Sequence, residues 1–229
     1  MKRLLLCLLP LCLLASDCSG SADPDDNNGS AEPYYLNIMF LSDKFKLLGS
    51  QSFYLSATPN KQSFTWNSTQ KQYHACIWAH LEDKATENDF YVFATHYNLG
   101  TSEVDIQARI NSTNLILSKI KDITGGDSKA VVYVLGDMNA SMESNDSRSV
   151  CLKPYLENGF KNARTSAIST DDIVSFNGFS DQARAQKYNI DFIFYKNVTG
   201  MSFKTVTQSY NGIKYVSDHW PVLLNSMTF

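Results

Sequence analysis

The stretch VVYVLGDMNA, residues 131–140, decides the fold. Val131 to Leu135 are apolar or aromatic without a polar interruption, the pattern of a strand covered on both faces by packed layers. Gly136 ends the run, and Asp137 and Asn139 follow on a chain just leaving the core. Sheet proteins hold reacting groups at such exits, because the strand fixes them while the loop gives access. An apolar strand followed by Gly-Asp is also an ordinary strand-to-turn exit, so this stretch alone leaves both readings open.

Three further stretches share the layout of an apolar strand delivering a polar tip: DFYVFATHYN (89–98), YNIDFIFY (188–195) and KYVSDHWPVLL (214–224). With the first they supply His96, Asp137, Asn139, Asp191, Asp218 and His219. A histidine at a strand tip either caps the strand or, beside acidic tips, moves a proton or polarises a phosphoryl oxygen, since it titrates near neutrality. Asp191 lies between Ile190 and Phe192. A carboxylate buried there needs a partner, and an imidazole is the natural one.

In order and spacing, the four strings resemble the T-H, G-D-x-N, I-D and S-D-H strings of the endonuclease/exonuclease/phosphatase superfamily, the deoxyribonuclease I-like metal-dependent phosphoesterases. Leu55-Ser56-Ala57-Thr58-Pro59 followed by Trp66 resembles the Leu-Ser-Glu-Thr-Pro and Trp of a secreted bacterial subgroup, with Ala57 in place of the Glu. Packing is the favoured role for Trp66, over stacking on a substrate. The resemblance implies an α+β protein, a four-layer α/β/β/α sandwich, N-terminally incomplete. It implies hydrolysis of a phosphoester by activated water. His219 would be the general base, oriented by Asp191. Asp137 and Asn139 would fix the water and the phosphoryl oxygens, and His96 would stabilise the phosphate from the other side. Asp218 would help ligate a divalent ion, Mg²⁺.

The resemblance covers residues 35–229, about the C-terminal two thirds of a family domain. Members begin with a strand ending in Asn, and a later strand ends in Gln-Glu; these furnish principal metal ligands, and this sequence has neither. A truncated product, a partner supplying the missing part and an inactive relative would each account for that. Truncation is favoured, and with it impaired metal binding. Where the subgroup carries an Arg, this chain has His74, which weakens a phosphate-facing cation.

The 229 residues and a formal net charge of −3 fit one domain over 34–229, with no Lys/Arg cluster that would track a nucleic-acid backbone. Residues 1–22 read as a secretory signal: Lys2 and Arg3 begin it, and Leu4–Ala15 is an apolar run too short to span a bilayer. Cleavage after Ala22 is one outcome; lipidation of Cys18, giving a membrane tether, is another. The chain is therefore expected to be secreted, periplasmic or a cell-surface lipoprotein. Residues 23–33 are a polar, Pro-containing linker. Cys76 and Cys151 read as two buried free thiols in preference to a disulfide. Asn67, Asn111 and Asn197 begin Asn-x-Ser/Thr sequons, relevant where the source glycosylates.

Among the remaining elements, Tyr35–Leu55 reads as two strands joined at Ser42–Asp43, and 74–83 as another. His74 and His80 on the latter are read as surface or satisfied residues. Ile106, Ile110, Leu117 and Ile120 make one face of a helix over 103–123, with Arg109 a packing or surface partner. A helix is expected near 149–158, then a long polar excursion over 161–187 shaping access to the site. The functional reading is an exported Mg²⁺-dependent phosphoesterase, whole or crippled. The alternative is a non-catalytic surface or binding protein that keeps the fold. An acyl-ester hydrolase fails, because Met138 stands where a nucleophilic Ser would follow Gly-Asp.

Overall fold

The computed structural model describes residues 3–8, 36–180, 189–209 and 211–227. In chain order the elements are β1 (Arg3–Leu8), β2 (Phe45–Tyr54), β3 (Ala75–Asp83), β4 (Asp89–His96), α1 (Glu103–Ile123), β5 (Val132–Asp137), a 3-10 turn (Ser147–Cys151), α2 (Lys153–Glu157), β6 (Lys161–Asn162), α3 (Ala163–Ser166), β7 (Asp191–Lys196), β8 (Thr199–Thr205) and β9 (Val222–Met227). The expected α+β class is the one observed. Cys18, Ala22 and the linker 23–33 lie outside the described residues.

A six-stranded sheet has the order β2-β3-β4-β5-β7-β6, and a three-stranded sheet the order β1-β9-β8. All pairings are antiparallel except β4 with β5. That parallel pair requires a crossover, and α1 supplies it. β5 and β7 sit inside the larger sheet, and their residues are buried up to the last position. Val132 and Val134 face the core under α1, whereas Tyr133 and Leu135 face the core between the two sheets. Two covered faces explain why the 131–135 run has no polar position. Tyr133 Oη and Ser226 Oγ, 2.8 Å apart, link the sheets through their buried interior.

Several expectations are corrected. Among the described residues of the Tyr35–Leu55 stretch, 36–55, only Phe45–Tyr54 is a strand; Ile38 and Phe40 instead lie partly buried against the inter-sheet core. β5 continues through Gly136 to Asp137, and the glycine is needed because a Cβ there would fall 1.8 Å from the Thr95 carbonyl oxygen. α1 has the expected bounds, but its buried face includes Ala108, Arg109, Ser112, Thr113, Ile116 and Ile120. Arg109 is fully buried, and its guanidinium donates to the carbonyls of Asn98 at 2.6 Å and Gly100 at 2.7 Å. A buried cation so placed satisfies the backbone of the loop leaving β4. Trp66 has the packing role, its indole N–H donating to Ser112 of α1. Cys76 and Cys151 are buried and free.

Candidate active site

The site follows from strand direction. β4 and β5 run parallel and end together, while β7 runs antiparallel and begins at the same edge. The register sets His96 beside Asp137, and Asp137 beside Asp191. His219 arrives from the segment just before β9, in the other sheet. Four chain segments thus bring imidazoles and carboxylates to one sheet edge.

His219 Nδ1 lies 2.7 Å from Asp191 Oδ2. The carboxylate can only accept, so Nδ1 carries the proton and Nε2 is presented outward. Nε2 is 3.9 Å from Asp137 Oδ2, and His96 Nε2 is 3.5 Å from the same oxygen. The other Asp137 oxygen accepts the Asn139 N–H at 2.8 Å. Asn139 adopts φ +46° and its side-chain amide donates to Tyr97 O at 2.7 Å. It is buried, and it fixes the exit loop and with it the orientation of Asp137. Asp218 is half-buried beside His219, its Oδ1 accepting from Ser217 Oγ at 3.2 Å.

The electrostatics are uneven. Burial lowers His219, but the Asp191 hydrogen bond and charge, with Asp137 and Asp218, outweigh it and push the imidazole up to about 9. Burial, then the charge of Asp191, pushes Asp137 up to about 7. Burial holds His96 down at about 4. At neutral pH the proton therefore resides on His219, while His96 is neutral.

His74, read from the sequence as a surface or satisfied residue, is buried and lies at this edge. Its Nδ1 donates to His96 O at 2.8 Å, and the two rings meet edge-on with centroids 5.7 Å apart. Burial, then the neighbouring His96, lowers it to about 3, so it stays neutral and cannot serve as a phosphate-facing cation. The sequence signal was available: the residue before β3, antiparallel to β4, sits at the same edge as the end of β4. His80, six residues on, lies at the opposite end. It pairs with exposed Asp89 at 2.5 Å and stacks on Tyr91.

A second missed feature is the segment Ser175–Phe179 within the polar excursion. Trp220 N–H donates to Ser175 O at 2.6 Å, and Asn177 and Gly178 N–H donate to Asp218 O at 2.7 and 2.8 Å. Phe176 lies edge-on to the His219 ring at 5.1 Å. This clip closes over the Ser217–Trp220 tip.

Among the described residues, Asp137, Asp191 and His219 offer ligand atoms within 4.8 Å of one another, a group able to hold a metal ion. Asp191 and His219 already satisfy each other, which leaves the outer oxygen of Asp137 as the natural ligand. A hard divalent ion that keeps most of its waters needs only one or two carboxylates, so the donor set fits such an ion.

No family model and no curated protein matches this sequence. Solved structures do. An endonuclease/exonuclease/phosphatase from Bacteroides vulgatus is 28% identical, with a TM-score of 0.67 over 82% of this chain and 67% of that one. A mannosyl-6-phosphatase from Bacteroides thetaiotaomicron is 22% identical, with a TM-score of 0.68 over 81% and 68%. The human Nocturnin catalytic domain is 21% identical, with a TM-score of 0.57 over 83% and 62%.

Proposed function

This chain belongs to the endonuclease/exonuclease/phosphatase superfamily, and from that premise we propose that it is an exported phosphoesterase, dependent on Mg²⁺, that hydrolyses a phosphodiester or phosphomonoester with activated water. One observation carries the reading: the His219 imidazole is held by Asp191 at 2.7 Å with its Nε2 3.9 Å from Asp137 Oδ2, and His96 Nε2 lies 3.5 Å from that same oxygen.

The residue roles follow from protons and charge. Asp191 fixes the His219 tautomer so that Nε2 faces the reacting water, and its charge stabilises the imidazolium formed when the proton is taken. Asn139 fixes Asp137 through its backbone N–H. Neutral His96 presents its Nε2 beside Asp137, placed to donate to or accept from a phosphoryl oxygen according to tautomer. Asp137 would hold the divalent ion, with Asp218 adding negative charge nearby. When bound, that ion supplies positive charge to the phosphoryl oxygens and opposes the carboxylate field that keeps His219 protonated.

The test uses the purified chain on bis(4-nitrophenyl) phosphate and 4-nitrophenyl phosphate, with Mg²⁺ and with chelator. Turnover that requires Mg²⁺ and disappears in His219→Ala supports the proposal. Silence towards both esters at high protein concentration, with metal present, supports the non-catalytic binding reading instead. The mannosyl-6-phosphatase likeness makes a sugar phosphate a sensible third substrate. Export is tested by the mature N-terminus: mass spectrometry of secreted protein should find it after Ala22, or a lipid on Cys18. Loss of residues 1–22 would also remove β1 from β9, the strand it pairs with.

A further inference from the structure

We infer that Ser175 is a positioning residue of the Asp191–His219 pair, its hydroxyl fixing the one carboxylate oxygen that meets the imidazole. Ser175 Oγ lies 2.5 Å from Asp191 Oδ2, and His219 Nδ1 lies 2.7 Å from that same oxygen. An ionised carboxylate only accepts, so the serine O–H donates. Two donors on one oxygen occupy both of its lone pairs. The contact is of the short, charge-assisted kind.

Burial makes the bond irreplaceable. Ser175 is fully buried and Asp191 nearly so, so water does not substitute for the hydroxyl when it is removed. The carboxylate would then be one donor short in a site that also holds Asp137, and a buried acceptor left so is costly. With Oδ2 anchored by Ser175, rotation of the carboxylate away from Nδ1 breaks a strong bond; without Ser175, among the described residues, the imidazole is the remaining hydrogen-bond partner that opposes it.

The backbone of Ser175 adds the second half of the argument. Its carbonyl accepts the Trp220 N–H at 2.6 Å. Ser175 therefore binds the side chain of Asp191 and also the backbone one residue beyond His219. It ties β7 to the His219 tip from the clip between them. The described hydrogen bonds of Ser175 go to Asp191 and to the Trp220 backbone, so its effect belongs to the orientation of the base and not to substrate binding.

The inference rests on the phosphoesterase reading only for its kinetic arm, and the experiment separates the two. The full chain is prepared as wild type, Ser175→Ala, Ser175→Thr and Asp191→Asn. The first readout is the low-field proton resonance of His219 Nδ1–H, assigned by its loss in Asp191→Asn. The second is kcat and KM on bis(4-nitrophenyl) phosphate with Mg²⁺. Ser175→Ala should move that resonance upfield or broaden it away, and lower kcat about 10- to 100-fold with KM within about twofold. Ser175→Thr, which keeps the hydroxyl, should restore both. An unchanged resonance in Ser175→Ala overturns the inference, as does a wild-type kcat in that variant. If the wild type turns over no phosphodiester, the functional reading fails while the resonance still decides the role of Ser175. Should Ser175→Ala lose its folded circular dichroism spectrum, Ser175→Cys takes its place: it keeps the volume, its thiol is a poor donor, and it should shift the resonance in the same direction.

Discussion

Among the described residues, His80–Asp89 and His219–Asp191 are histidine–aspartate pairs held at hydrogen-bond distance at opposite ends of one sheet, and only the second belongs to the proposed site. His80 and Asp89 are 2.5 Å apart, and His219 and Asp191 are 2.7 Å apart, so distance does not separate them. Surroundings do. The Asp89 side chain is 53% exposed and that of Asp191 only 4%. Water screens the first pair, and such pairs are worth little. The second is desolvated, and its carboxylate is shared with Ser175, its imidazole aimed at Asp137 and backed by Phe176. An imidazole becomes a catalytic base when burial and convergent charges control its proton, and pairing alone does not achieve that.

That contrast breaks most sharply under substitution of the two imidazoles. His219→Ala should lower kcat at least ~10³-fold, while His80→Ala should leave it within about twofold, measured on bis(4-nitrophenyl) phosphate with Mg²⁺. Next in size is the backbone. A Cβ at Gly136, at the site end, would strike Thr95 O, whereas at Gly126, at the far end, it meets nothing within 4 Å. Gly136→Ala should cost more than about 3 kcal/mol or prevent soluble expression, and Gly126→Ala about 1 kcal/mol, read by chemical denaturation.

The pH dependence sharpens the comparison further. His74 is held at about 3 in the folded chain against an ordinary 6.5. Below pH 6.5 the unfolded chain therefore binds the extra proton and the folded one resists it. The contribution of neutral His74 is complete above about 6.5 and is lost as pH falls through about 3. His74→Asn should flatten that acid limb by up to a few kcal/mol; a limb equally steep in the variant would assign acid sensitivity elsewhere. The smallest effect is expected at the exposed pair, where Asp89→Asn should change stability by less than about 1 kcal/mol and leave turnover alone.

Much of this was legible in the residues. The runs 89–96 and 131–137 announce themselves by continuous apolarity ending in a polar tip, and α1 by its period and its glycine stop, because these are local properties of a chain that must bury one face or two. The strings around His96, Asp137, Asp191 and His219 carried enough order to name a superfamily. His74 is satisfied, one of the two readings the sequence left open, but its place beside His96 was not legible in local pattern, because only strand direction sets the residue before β3 beside the end of β4. Arg109 takes the packing role of the two the sequence left open, and its partners were not legible, because the carbonyls of Asn98 and Gly100 are presented by a loop geometry that helix periodicity does not encode.

The sequence by itself determined which strands are buried and which polar residues leave them, since alternation, apolar runs and glycines act over a few neighbouring positions. Only the tertiary structure decided which of those polar residues meet. Asp191 and His219 are brought together across two sheets, and Ser175 reaches them from a polar loop with no periodic signal. Such contacts depend on strand order and direction, which are set by how separate segments share one core.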